Sequence, residues 1–285
     1  MNTNIPVVIL AGGLGTRLRE ETDIRPKPMV TVGNQPVLWH IMKTYAHYGF
    51  RRFIICLGYK GEVIKDYFLR SRLHHADFTI NTRSGNITEH VLHGEDWDVT
   101  LVDTGLDCQT GGRLARVARY IDTDRFFLTY GDGIADVDIN HLLKFHEAHG
   151  KMATLTAVKS PARFGNLEMN GSAVQAFKEK HEEDSTWING GFFVFEKSFL
   201  DTLTASPSLV LEKEPLRNAA QLGQLSAYHH FGFWQCMDTI KERVQLEQLW
   251  ESGAPWKVWD HTNTFGSEHE EVHGLRPVVR ESELC

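Results

Sequence analysis

The sequence is short of the features that would commit it to several protein classes. Only four cysteines occur, Cys56, Cys108, Cys236 and Cys285, and no two form a CxxC pair. A disulfide framework or structural zinc site is therefore not expected. No apolar run approaches the ~20 residues that a membrane span requires. The N-terminus enters a strand-like run without a basic, cleavable leader, so a cytoplasmic protein with no membrane partner is expected. Basic residues are in the minority, and the formal net charge is −7. A broad nucleic-acid-binding face is disfavoured, while a local cationic pocket remains possible. There is no internal repeat. The histidines include no HExxH and read as solvated or hydrogen-bonded side chains.

What is present is alternation. PVVILAG is a β-branched apolar run of the kind buried in parallel sheets. In QPVLWHIMKTYAHYG, Val37, Leu38, Ile41, Met42 and Tyr45 recur at helical spacing, and Gly49 offers a C-terminal stop. RRFIICLGY and GEVIKDYFLRSR repeat the strand–helix pair. WDVTLVDTG with GGRLARVARYI, and FFLTYGDG with INHLLKFHEAHG, do so again after a polar stretch. This order predicts a Rossmann-like, doubly wound α/β fold with a mostly parallel, mixed sheet. The second half reads as strand MATLTAVKS, a hairpin turning at Asn170-Gly171, strand then helix in NGGFFVFEKSFLDTL, a strand-like LSAYHHFGFWQCMDT and helix IKERVQLEQLWESG. Residues 1–260 are taken as one domain and 261–285 as a polar tail. His261, His269 and His273 in the tail are not taken as a metal site.

Three motifs carry chemistry. LAGGLGTRLREETDIRPKPM, residues 10–29, follows the first strand. A dinucleotide fingerprint needs a third glycine at position 18, which is Leu18, and a helix that Pro26 and Pro28 oppose. A Walker A loop needs GK[ST], which is absent. What remains is a glycine loop with its own cations, Arg17 and Lys27, with Arg25 nearby. Arginine suits forked phosphate contacts and lysine acts as a point charge. In TYGDG, residues 129–133, Asp132 falls at the C-terminal end of a strand. One carboxylate beside substrate phosphates is a common Mg²⁺ arrangement, although TYGDG alone is also an ordinary turn. In FWQCMDT, residues 233–239, Asp238 precedes a helix and also suits an N-cap. Spacing does not decide whether Asp132 and Asp238 meet.

Together AGGLGTRL with PKPM, TYGDG, EK followed by NGGFFVF, and FWQCMDT resemble the sugar-1-phosphate nucleotidylyltransferases, over roughly residues 5–260. EETDIRPKPMVTVG, PVLWHIMKTYAHYG, LGYKGEVIKDYF, VTLVDTG, TGGRLARV and APWKVW are similar to the cytidylyl branch. The resemblance implies the nucleotide-diphospho-sugar transferase fold and Mg²⁺-dependent transfer of CMP from CTP to a sugar 1-phosphate, foremost α-D-glucose 1-phosphate. The products would be a CDP-sugar and pyrophosphate, and the enzyme a homo-oligomer. It implies nucleotide contacts from Leu10, Ala11, Gly12, Gly13, Leu14, Gly15, Thr16, Arg17 and Lys27. Thr104, Thr110, Gly111, Gly112, Arg113 and Gly131 would join them. Asp132 and Asp238 would hold the metal. Tyr130, Glu179, Lys180, Trp187, Asn189 and Gly190 would face the sugar phosphate. Arg17, Lys27, Asp132, Lys180 and Asp238 would be catalytic.

Other readings stay open: UTP or dTTP as donor, a non-glucose or phosphonate acceptor, or a silent sugar-nucleotide-sensing subunit. The last is opposed by retention of every cation and carboxylate just named. One stretch departs from the family. Residues 179–187 read EKHEEDSTW, with His181 in place of a proline and Glu182-Glu183-Asp184 in place of a basic, glycine-containing run. Trp187 stands where the cytidylyl branch has a smaller side chain. This is either drift in a surface loop or a remodelled acceptor pocket.

Overall fold

Val7, Val8, Ile9 and Leu10 are all buried, as a strand covered on both faces demands. Val7 and Ile9 enter one apolar cluster, and Val8 and Leu10 enter a second on the opposite face. The computed structural model describes residues 3–92, 94–160, 166–170, 173–178 and 186–260. In chain order these form β1 (Val7–Leu10), a 3-10 turn (Thr16–Leu18), α1 (Arg19–Thr22), a second 3-10 turn (Lys27–Met29), β2 (Thr31–Val32), β3 (Gln35–Pro36), α2 (Val37–His47), β4 (Arg52–Leu57) and α3 (Gly61–His74). Next come β5 (Ala76–Ile80), β6 (Ile87–Leu92), β7 (Asp98–Asp103), α4 (Thr110–Val117), β8 (Arg125–Tyr130), β9 (Gly133–Ala135), α5 (Ile139–His149) and β10 (Ala153–Ser160). Last are β11 (Asn166–Asn170), β12 (Ala173–Lys178), β13 (Thr186–Glu196), α6 (Glu214–Gln221), β14 (Leu225–His230), β15 (Trp234–Cys236) and α7 (Ile240–Glu251).

Seven strands build the central sheet in the order β14-β10-β13-β8-β1-β4-β7. Only β13 runs against its neighbours, so the sheet is mixed but mostly parallel. One face is covered by α2, α5 and α7, through residues such as Leu38, Leu142 and Leu246. The other is covered by α4 and α6, through Leu114, Val117, Leu216 and Ala219. The chain winds outward from β1 to β4 and β7, then returns to the far side of β1 with β8. The loops leaving β1 and β8 therefore part at their carboxyl ends, the crevice where such sheets bind ligands. No helix among the described residues is long and apolar enough to cross a membrane.

Several local expectations need correction. A short helix does begin beyond the glycine loop, over Thr16–Leu18 and Arg19–Thr22, and it stops before Pro26 and Pro28. The polar stretch after α3 forms the hairpin β5–β6. Phe78, Ile80, Ile87 and Val91 stay exposed there, so no buried alternation marks the strands. LSAYHHFGFWQCMDT splits into β14 and β15, which join different sheets. The helix after β13 is a 3-10 segment, Lys197–Thr202. β11 and β12 pair antiparallel, while Gly171 in the turn between them and the tail 261–285 lie outside the described residues.

APWKVW closes the C-terminal end of the described fold onto α2. Trp256 is fully buried and its indole N–H donates to His40 Nδ1 at 3.3 Å. The other ring nitrogen, His40 Nε2, lies 3.0 Å from the Val32 carbonyl, which only accepts, so Nε2 carries the hydrogen. Burial pushes the His40 pKa down to about 4, keeping the ring neutral.

Candidate active site

The glycine loop is shaped from beneath by one buried guanidinium. Arg113 on α4 is 4% exposed. Its Nη1 donates to the Leu57 carbonyl (3.0 Å), the Gly105 carbonyl (2.9 Å) and Thr104 Oγ1 (2.7 Å). Its Nη2 donates to the carbonyls of Gly12 (2.9 Å) and Leu106 (3.2 Å). Thr104 is buried too, and its hydroxyl donates to Leu57 O at 2.6 Å. The ends of β1, β4 and β7 are thus tied to one side chain. This is why Gly12 and Gly58 are glycines: a Cβ at either would overlap the Arg113 guanidinium. Gly15 adopts φ 63°, the left-handed region, to turn the chain into Thr16–Leu18. Tyr59 Oη and Lys60 Nζ hold the far side of the loop through the carbonyls of Thr22 and Asp23.

Above this floor is a cavity of about 270 Å³. It is lined by Leu10, Ala11, Gly12, Gly13, Gly15, Thr16, Arg17, Lys27, Pro28, Thr110, Tyr130, Gly131, Asp132 and Asp238. Gly131 admits the close approach of β8 to β1, since a Cβ would come within 2.9 Å of both Leu10 O and Pro28 Cγ. Residues 105 and 211 positions apart meet here. Lys27 Nζ donates to Asp132 Oδ2 at 2.6 Å and to Asp238 Oδ1 at 2.5 Å, and Arg17 Nη1 lies 2.9 Å from Asp238 Oδ2. Burial opposes the charge on Lys27, but the Asp132 and Asp238 carboxylates prevail and raise its pKa. Arg17 is largely exposed, so its pair with Asp238 contributes little to stability and leaves it free to turn toward an anion.

Asp238 is positioned by a cap one residue further on. Thr239, not Asp238, is the N-cap of α7, in a capping box with Glu242. Glu242 Oε2 also accepts from the amide of Asp238 at 2.7 Å. Asp132 and Asp238 bring hard carboxylate oxygens together around Lys27 Nζ beside this cavity, a donor set that fits a hard divalent cation. Cys236, Asp238 and Glu242 also cluster. Burial and Asp238 push the Cys236 thiol up to about 11, and the Glu242 carboxylate is engaged in the cap. The Asp132–Asp238 pair offers the harder oxygen donors.

Other expected residues lie away from the cavity wall. Leu14 is 51% exposed beyond it. Thr104 and Arg113 sit beneath the loop. Gly111 and Gly112 are buried against residues 206–209, where a Cβ would come within 2.8 Å of Leu209 Cγ or 2.6 Å of Ser206 O. On β13, Asn189 donates from Nδ2 to Tyr130 Oη at 3.1 Å, and the Gly190 carbonyl accepts from Trp234 Nε1 at 2.8 Å. Trp187 packs edge-on against His229 and Phe231, with Lys159 Nζ 5.7 Å from its ring centre. Glu179, Lys180 and the acidic run 182–184 lie outside the described residues. Sequence reasoning missed Glu212, whose two carboxylate oxygens accept from Tyr130 Oη (2.5 Å) and Thr110 Oγ1 (2.7 Å). Its only sequence signal is an acidic residue in LVLEKEPL. Burial, then the Glu212 charge, drives the Tyr130 pKa upward, so its hydroxyl stays a donor.

Comparison with known proteins agrees with this geometry. This chain is 54% identical to proteins named glucose-1-phosphate cytidylyltransferase from Salmonella typhimurium and Salmonella typhi, over 89% of its own length and 99% of theirs. The crystal structure of HddC from Yersinia pseudotuberculosis superposes with a TM-score of 0.65 at 20% identity, covering 86% of this chain and 99% of that one, a likeness of fold. Residues 6–235 match the model of the Nucleotidyl transferase family. With the glycine loop, the convergent cations and that match in agreement, the chain belongs to the nucleotidyl transferase family.

Proposed function

We propose that this chain transfers CMP from CTP to α-D-glucose 1-phosphate, giving CDP-glucose and pyrophosphate, with Mg²⁺ as its metal. The observation that carries the chemistry is Lys27, bracketed by Asp132 and Asp238 at the mouth of the glycine loop. The choice of donor and acceptor is supported by the Salmonella relatives.

A sugar phosphate is largely a dianion near neutral pH, because its second pKa is ~6. It needs no general base. One of its oxygens forms a bond to the α-phosphorus while the bond to the bridging oxygen breaks, and pyrophosphate leaves with that electron pair. The obstacle is mutual repulsion of anions, so positioning and positive charge do most of the work. The glycine loop would place backbone amides against the triphosphate. Lys27 would neutralise the α-phosphate and Arg17 the departing pyrophosphate. Lys180 would steer the attacking phosphate, with Glu179, Asn189 and Gly190 against the sugar, Tyr130 at its border and Trp187 further out. Asp132 and Asp238 would hold Mg²⁺, which supplies charge neutralisation on the phosphates when bound. A homo-oligomer working in the cytoplasm, where nucleoside triphosphates are made, belongs to the same proposal, and light scattering checks the assembly.

The test is one matrix of CTP, UTP, dTTP and ATP against a panel of sugar 1-phosphates and phosphonates, reading pyrophosphate release with Mg²⁺. CTP with glucose 1-phosphate should give the highest kcat/KM. Release with no pair would sink the proposal, and preference for another pair would reassign the substrates.

A further inference from the structure

Glu212 stands beside the cavity with a task the phosphate chemistry does not use. Arg17 and Lys27 enter the cavity beside Asp132 and Asp238, and a further carboxylate adjoins it where Thr110 and Tyr130 do. No lysine or arginine among the described residues forms an ion pair with Glu212. A carboxylate so placed repels phosphate, so its value lies in accepting hydrogen bonds.

The protein builds this position with care. Residues 206–211 cross over the start of α4. Gln109 N donates to Pro207 O (2.8 Å), Gly112 N to Leu209 O (3.0 Å) and Leu211 N to Thr110 Oγ1 (2.9 Å). Leu209 and Leu211 are buried, and Gly111 and Gly112 leave room for the crossing. The crossing delivers Glu212 between two hydroxyls, each with its own anchor. Thr110 Oγ1 accepts from Leu211 N, and Tyr130 Oη accepts from Asn189 Nδ2. A carboxylate offers about four lone-pair directions, and two hydroxyl donors use about half of them. Both partners are hydroxyls, so the site already has the chemistry of a polyol reader.

We propose that Glu212 is a specificity-determining residue that accepts a hydrogen bond from a sugar hydroxyl of the substrates. That hydroxyl belongs either to the ribose of the nucleoside triphosphate or to the hexose of the acceptor. The inference rests on the function proposed above. Glu212 is exposed in this structure, so the penalty on an analogue lacking that hydroxyl arises when the bound substrate covers the carboxylate from water and leaves the acceptor unpaired.

The test measures kcat/KM for the wild type and for Glu212→Gln with CTP and glucose 1-phosphate. It then repeats the measurement with 2′-deoxy-CTP, 3′-deoxy-CTP and the 2-, 3-, 4- and 6-deoxyglucose 1-phosphates. In the wild type, removal of one particular hydroxyl should cost about ten-fold or more, the worth of a charged hydrogen bond. In Glu212→Gln that same ratio should fall toward one. A collapse confined to the ribose analogues assigns the hydroxyl to the donor, and one confined to the hexose analogues assigns it to the acceptor. Equal ratios in both proteins would overturn the proposal and leave Glu212 as a latch between Thr110 and Tyr130. Glu212→Asp, which keeps the charge one methylene short, should lie between them and serves if the glutamine variant melts early. Wild-type turnover of the parent pair tests the proposed function separately. If that pair is not turned over, the same ratios are read from calorimetric binding of CTP, of glucose 1-phosphate and of their deoxy analogues.

Discussion

Lys27, partly buried at the mouth of the glycine loop, and Arg113, buried beneath it, are two cations that the protein satisfies in opposite ways. Lys27 is met by two carboxylates from distant parts of the chain. Arg113 is met by carbonyls and one hydroxyl, and no carboxylate among the described residues pairs with it. A lysine held by carboxylates can exchange them for phosphate as a metal takes its place. A guanidinium whose donors are spent on backbone carbonyls is committed to shape. On the proposed function the first serves chemistry and the second geometry, and Arg113 also leaves its charge beneath the cavity proposed to take the phosphates.

The sharpest test of the chemical half is Asp238→Asn or Asp132→Asn, which should lower kcat/KM by about 10³-fold, the upper range for losing one electrostatic stabiliser. Near-normal turnover would remove either residue from the metal seat. Lys27→Met and Arg113→Met should then separate. Lys27→Met should lose about 10²-fold in kcat/KM, and its melting temperature should fall only where no divalent metal offsets the Asp132 and Asp238 charges left without their cation. Arg113→Met should lose about 3 kcal/mol of stability through orphaned carbonyls, a fall of roughly 6–12 °C for a chain of this size. If the two variants showed the same profile, the contrast between them would collapse.

His40 extends the comparison to a base kept neutral by burial. Its folded pKa of about 4 lies below its ordinary value of about 6.5. Above pH 6.5 neither state binds the proton. As the pH falls the unfolded state takes it up first, so stability declines from about pH 6.5 and levels off below about pH 4. At pH 5 the loss should be about 2 kcal/mol. Denaturant melts at pH 7 and pH 5 should show a fall that is smaller by that amount in His40→Gln than in the wild type; His146, pushed down to about 4 by burial, supplies a further share that stays in the variant. The smallest effect is expected from Glu242→Ala. Loss of its capping box should cost about 1 kcal/mol, and a loosened Asp238 should lower kcat/KM a few-fold, read by melts and by pyrophosphate release.

Much of this was legible in one dimension. The run Val7–Leu10, the glycines at 12, 13 and 15, and the cations at 17 and 27 are local signals, because strand burial and anion cradles are built from neighbouring residues. The failed dinucleotide fingerprint was legible for the same reason, although the short helix after the loop was not. Four residues cannot form a stable helix without tertiary support. Asp132 and Asp238 could be picked out but not brought together, since each is also an ordinary turn or cap residue. Arg113 was placed near the nucleotide and lies under the loop, because its carbonyl partners carry no side-chain signature. Glu212 was invisible for a similar reason, as acidic residues beside helices are commonplace, whereas Thr239 and Glu242 carry the spacing of a capping box that went unread.

The sequence by itself determined the fold class, the glycine loop with its cations and the family, all of which rest on short-range pattern and motif. Only the tertiary structure decided that Lys27 stands between Asp132 and Asp238, that Arg113 ties the ends of three strands, and that Glu212 meets Thr110 and Tyr130. Those contacts join residues up to 211 positions apart. Such meetings are set by strand order and by the crossing of loops at one sheet edge, which no local stretch of sequence encodes.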